Sequence, residues 1–180
     1  MNKGSFQAAA CIALLLLIPT AARSAAQLSS QDQKFLKEAA AGGMEEVQLG
    51  RLAVQKAANA DVKNFGQRMV DDHSKANDRL KQLAAQKGVA LPAALPPEMK
   101  KDIDKLSKLS GAAFDKMYMS MMVKDHKKDV SEFKKETTKA DDANVKSFAQ
   151  QTLPTLREHL QMARSVASKV GAHPDHTGKR

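Results

Sequence analysis

The chain has 180 residues, 42% hydrophobic and 27% charged, with 29 Lys and Arg against 20 Asp and Glu and a net charge of +9. That is the length of one domain, and the apolar content is too high for a disordered chain. One Cys excludes an internal disulfide framework, and six Phe with one Tyr and no Trp are too few for the aromatic girdles of a transmembrane β-barrel.

Residues 1–26 have the pattern of a secretory signal peptide. Lys3 supplies the positive start, Ala8 to Ile18 is an unbroken apolar run, and Pro19 ends it. Ser24-Ala25-Ala26 places small residues before a cut at Gln27, and a cut after Ser24 fits nearly as well. A membrane anchor would need about 20 apolar residues. Cys11 stands at the start of the apolar run, whereas an acylated lipoprotein Cys follows it, so the mature chain is expected to lack Cys. Removing the leader takes away Lys3 and Arg23 and no acid, leaving +7. The expected location is outside the inner membrane, in the periplasm, in reach of the outer membrane. The basic surface suits acidic cell-envelope components as partners. Nucleic acid is not expected, because Lys100-Lys101, Lys127-Lys128 and Lys134-Lys135 lie among acids and lack aromatics for base stacking.

From Ser29 onward the chain is rich in Ala, Leu, Lys, Gln, Glu and Met and has no alternating β-branched runs. A first helix is predicted from Gln31 to Ala57, with Ser30 and Gln33 as a capping box. Asn59-Ala60-Asp61 makes a turn, with Asp61 as N-cap of a second helix that ends near Lys87 at Gly88. Three prolines between Val89 and Pro97 require a loop, followed by a short helix from Glu98 to Leu109. A long helix from Ala112 to Lys139, a turn and cap at Asp141-Asp142, and another from Ala143 to Val170 complete the set. Pro154 should kink the last helix near Gln150, and Gly171 stops it. The expected domain is an all-α four-helix bundle over residues 27–171, followed by a flexible tail over 172–180. Short turns near 59 and 141 make two antiparallel hairpins, and the crossover with its short helix permits the ferritin-like arrangement. Met69 to Lys75 resembles Met122 to Lys128 at five of seven positions, which suggests two related halves.

Placing each residue 100° around its helix finds four polar residues at the centre of apolar stripes. They are Glu46, His73, His126 and His159, one on each long helix. Counting from the turns puts them within about one helical turn of the same height. Asp72, Asp125 and Glu158 point about 100° away and are expected to be exposed. A buried carboxylate needs partners, and three imidazoles supply them as hydrogen-bond donors or as co-ligands. Two readings follow: a site for one Zn, Fe, Mn or Cu ion, or a metal-free polar layer that fixes helix register. The Met117, Met119, Met121 and Met122 group is expected to fill core space, and His173 and His176 to lie in the tail.

Met69-Val70-Asp71-Asp72-His73, the stretch from Gly111 to Tyr118 leading to His126, and Leu153-Pro154-Thr155-Leu156-Arg157-Glu158-His159 resemble a bacterial family, the domain of unknown function 4142. That family is labelled a predicted outer-membrane protein and grouped with ferritin-like proteins. The resemblance spans about Ser30 to Val170 and implies an export signal and a ferritin-like bundle, with no established activity. Di-iron members of the fold use Glu-x-x-His on two helices. Here Val70, Val123 and Leu156 stand three residues before the histidines, so a di-iron oxidase is not expected. No nucleophile–base pattern or phosphate loop points to an enzyme. The expectation is a metal-binding bundle in metal handling or envelope stress. The alternatives are a metal-free structural or interaction module with a basic surface, and a mononuclear metal oxidoreductase.

Overall fold

The computed structural model describes residues 27–173. The signal-peptide pattern, Cys11 and His176 lie outside the described residues. Five helices follow in order: α1 Ser30–Lys56, α2 Ala60–Gln86, α3 Pro97–Ser107, α4 Gly111–Lys139 and α5 Ala143–Lys169. Their ends are set by local capping. Ser29, rather than Ser30, caps α1 by accepting from the Asp32 amide. Asn59, rather than Asp61, caps α2 and accepts from Asp61 and Val62, while Asp142 caps α5 as its position predicts. Gly88 and Gly171 close α2 and α5 at φ 66° and 65°, which L side chains rarely adopt. Helix α5 runs through Pro154; that residue and Gln150 are both exposed, so the carbonyl that proline leaves without a partner is on the wet side.

Side-chain clamps at the two ends fix the direction of the four long helices. Asp115, near the start of α4, accepts from the amides of Ala58 and Asn59 in the α1–α2 turn at 3.1 and 2.9 Å. Asp32, near the start of α1, accepts from Asp141 and Asp142 in the α4–α5 turn at 3.3 and 2.8 Å. Lys169–Asp61 closes one end and Lys87–Asp142 the other. Helices α1 and α5 therefore run one way, and α2 and α4 the other. The crossover from α2 to α4 travels the length of the bundle, carrying α3 with Leu106 buried, which is the ferritin-like connection.

The two hairpins are related by a shift of 83 residues. It carries α2 onto α5, Asp32 onto Asp115, Asn59 onto Asp142 and Gly88 onto Gly171. The likeness of residues 69–75 to 122–128 pairs α2 with α4, which this shift does not relate, so that short match is not the basis of the repeat. Ala172 is buried and donates to the Ala167 carbonyl, so the helix stop extends into it.

Packing orders the core into two apolar clusters. One gathers Leu49, Phe65, Met69, Phe114, Tyr118, Met119 and Met122 toward the α1–α2 turn. The other gathers Phe35, Leu36, Leu80, Phe133, Phe148 and Leu153 toward the α4–α5 turn. On each long helix the residue between them is polar: Glu46, His73, His126 and His159. Met119 and Met122 fill core space, and Met117 and Met121 pack against it. No described helix is long and apolar enough to cross a membrane.

Helices α1 and α2 touch backbone to backbone at Gly50 and Gly66. A Cβ on Gly66 would stand 2.6 Å from the Ala53 Cβ and 2.9 Å from the Gly50 carbonyl oxygen. Alanine in a helix is favoured over glycine by about 1 kcal/mol, but overpacking costs about 1–3 kcal/mol. Here the obstacles are the Ala53 Cβ and the Gly50 carbonyl, neither of which can swing aside, so Gly66→Ala is expected to lower stability in urea denaturation by about 1–2 kcal/mol. A neutral variant would show that the helices part without cost.

Candidate metal centre

Helix α5 packs between α2 and α4, and α1 stands across the bundle from it, packed mainly on α2 and more lightly on α3 and α4. The three histidines therefore come from one helix and its two flanking neighbours. Their ring centroids form a near-equilateral triangle: 5.7 Å for His73–His126, 5.4 Å for His73–His159 and 5.3 Å for His126–His159. One ligand-capable nitrogen from each ring lies within 4.8 Å of the other two. All three side chains are buried.

Hydrogen bonds outside the triangle decide which nitrogens carry lone pairs. His126 Nδ1 donates to the Met122 carbonyl at 2.9 Å, leaving Nε2 as an acceptor. His159 Nε2 donates to Asp72 Oδ2 at 3.0 Å, leaving Nδ1. His73 Nε2, His126 Nε2 and His159 Nδ1 are all buried without a hydrogen-bond partner. Burial pushes the His73 pKa well down, and the other two rings push it further. Burial holds His126 down to about 3, against the upward pull of its Met122 bond. Burial also lowers His159, although Asp72 opposes the shift. The rings are thus neutral at neutral pH, as metal ligation requires.

Two carboxylates expected at the surface are partly buried instead. Asp72 lies on the flank of α2 that faces α5, where it bonds His159 and is held by Arg68, which also reaches Glu158 at 3.7 Å. Pairing of a ligand imidazole with a carboxylate fixes its tautomer and orientation. The Arg68/Asp72 spacing of four was a visible signal, but the angular rule counts only distance from the stripe centre. Asp125 is half-buried on α4, while Glu158 is exposed as expected.

Glu46 is buried beside the triangle without entering it. Its Oε1 stands 3.7 Å from His126 Nδ1, the nitrogen already given to Met122, and its Oε2 has no partner. Burial first, then Asp125, Asp129 and Glu45, raises its pKa well above the carboxylate range. His126 Nδ1 already gives its proton to the Met122 carbonyl, so its 3.7 Å contact with Glu46 is not a hydrogen-bonded ion pair. The Tyr118 hydroxyl is also buried and unpaired, and its pKa is raised by burial and by Glu46.

A set of three neutral imidazoles suits Zn, Cu, Ni or Fe and leaves a coordination position open. The positions three residues earlier hold half-buried Val70 and buried Val123 and Leu156, so no second ion has ligands on these turns.

The acids beside Glu46 make stability pH-dependent. Burial and then neighbouring acids push Glu45 and Asp129 up to about 7. The folded chain keeps protons that the unfolded chain releases from about pH 4 upward, so stability falls as pH rises toward 7. Asp129→Asn removes one such group. Allowing for its partial exposure, the variant is expected to gain about 1 kcal/mol over wild type at pH 8 and nothing near pH 4. Urea midpoints at the two pH values check this, and an equal gain at both would reject it.

The domain-of-unknown-function family DUF4142 matches residues 18–166, so the chain belongs to that family. No curated protein matches the chain. Solved structures that share the fold include two DUF305 proteins. A DUF305 fragment from Deinococcus radiodurans has a TM-score of 0.70 and 13% identity, covering 79% of this chain and 99% of its own. A DUF305 protein from Streptomyces coelicolor also has a TM-score of 0.70 and 13% identity, covering 82% of this chain and 98% of its own.

Proposed function

We propose that this member of the DUF4142 family is an exported bundle that binds one transition-metal ion through His73, His126 and His159 and serves metal handling in the cell envelope. The observation that carries the reading is the set of three buried, unpartnered ring nitrogens, His73 Nε2, His126 Nε2 and His159 Nδ1. In a polar layer that only fixed register, each would bond a neighbour. Leaving a buried polar atom unpaired costs about 1–3 kcal/mol, and one cation offsets all three at once.

The chain's own residues would act as follows. His126 is oriented by the Met122 carbonyl, and His159 by Asp72 and, behind it, Arg68. A cleft of about 360 Å³ bounded by Asp72, His73, Arg79, Thr155 and His159 reaches the triangle from between α2 and α5. Water or a small ligand could approach the open position there. Export rests on Lys3, the apolar run from Ala8 to Ile18 and the small residues before Gln27.

Titrating the untagged, metal-stripped protein with Zn(II), Cu(II), Fe(II) or Mn(II) tests the reading. One equivalent of at least one ion should bind, and Asp72→Asn should weaken it about 10- to 100-fold through loss of the outer hydrogen bond. Absence of stoichiometric binding by any of the four would overturn the metal reading in favour of a metal-free module.

A further inference from the structure

A second cavity, of about 360 Å³, opens where α1, α4 and the crossover come together and reaches the histidine triangle at His73. Its wall is acidic although the chain as a whole is basic. Glu45, Glu98, Asp125 and Asp129 line it, and of its two lysines Lys128 is paired with Glu132 at 3.7 Å. Acidity alone would mark no site, but two buried, unpartnered atoms belong to residues at its inner end. They are His73 Nε2 and Glu46 Oε2, with His73 7% and Glu46 3% exposed. His73 is thus both a wall of this cavity and a corner of the triangle. The cleft between α2 and α5, which adjoins this cavity at His73, Ala76, Thr152 and Leu156, has Lys75 and Arg79 at its margin, which repel a cation.

We propose that the acidic cavity is the entry path by which a hydrated divalent cation reaches the three histidines, with His73, which lines it, the first imidazole the ion meets. This rests on the metal reading above. A pocket lined by one sign of charge with low-dielectric walls concentrates the opposite ion and raises its association rate by ten- to a thousandfold. The two openings then divide the work: cations enter on the acidic side, and the basic cleft is left for anions or water at the open position.

Stopped-flow loading of the full chain with Zn(II) at pH 8 and low ionic strength, where Glu45 and Asp129 carry their charge, separates these routes. Glu45→Gln/Asp129→Asn should slow loading about tenfold while still binding one equivalent, and added salt should shrink the difference. Lys75→Gln/Arg79→Gln should leave the rate within about twofold. Unchanged loading in the acidic-wall variant, or faster loading in the basic-cleft variant, would place entry at the basic cleft and overturn the proposal. Failure of wild type to bind Zn(II) or any other ion would instead remove the metal reading, and this inference with it.

Discussion

Asp115→Ala is expected to cost about 3 kcal/mol or more, and Asp32→Ala a similar amount. Each carboxylate is buried and accepts two backbone amides from the turn of the other hairpin. Hydrogen bonds to a charged group contribute about 1.5–3 kcal/mol each, and truncation leaves the turn amides without an acceptor. The clamps lie at opposite ends of helices about 40 Å long, so their effects should add. The double variant would lose about 6 kcal/mol, within reach of the whole stability of a domain, about 5–15 kcal/mol. Asparagine at either position keeps one acceptor oxygen and should lose about half as much. Urea denaturation of the five variants checks the series; a loss under about 1 kcal/mol for either alanine variant would show that the clamps are dispensable.

Those two aspartates also show what the sequence held and where reading it stopped. Helix ends were legible because capping is local: Asp142, Gly88 and Gly171 need only their immediate neighbours. The same locality misled at Ser30 and Asp61, where adjacent residues compete for one role and Ser29 and Asn59 take it. The direction of the crossover is not local. It depends on which turn each aspartate reaches, and Asp32 and Asp115 occupy matching places only under a shift of 83 residues. The short likeness between 69–75 and 122–128 was easier to see and related the wrong helices.

The inward faces of Glu46, His73, His126 and His159 were legible because apolar neighbours at helical spacing surround each one. An angle about one helix axis says that a side chain points inward and does not say which other helix it meets. Helix α5 lies between α2 and α4, so the imidazoles of those three helices converge, while α1 brings Glu46 to the far side of His126. Asp72 was missed for the same reason. Its flank of α2 looks outward by angle but is covered by α5, which turns a surface aspartate into the hydrogen-bond partner of His159.

That geometry predicts which variants respond to metal. An ion that binds only the folded chain, present at about a thousand times its Kd, stabilises it by about 4 kcal/mol. For a domain of this size the melting temperature should rise by about 10 °C. Chelator should reverse the rise, and His126→Ala should abolish it while also lowering the melting temperature of the metal-free protein. Removing His126 leaves the packed layer between the two apolar clusters with a cavity. Glu46→Gln is the discriminating control. Glu46 faces the nitrogen that His126 gives to Met122, so the variant should retain nearly the full metal-dependent rise. Loss of the rise in Glu46→Gln would move the carboxylate into the ligand set and require His126 to turn its other nitrogen inward. A wild-type melting temperature that ignores both added ion and chelator would leave the three histidines as a polar layer within the core.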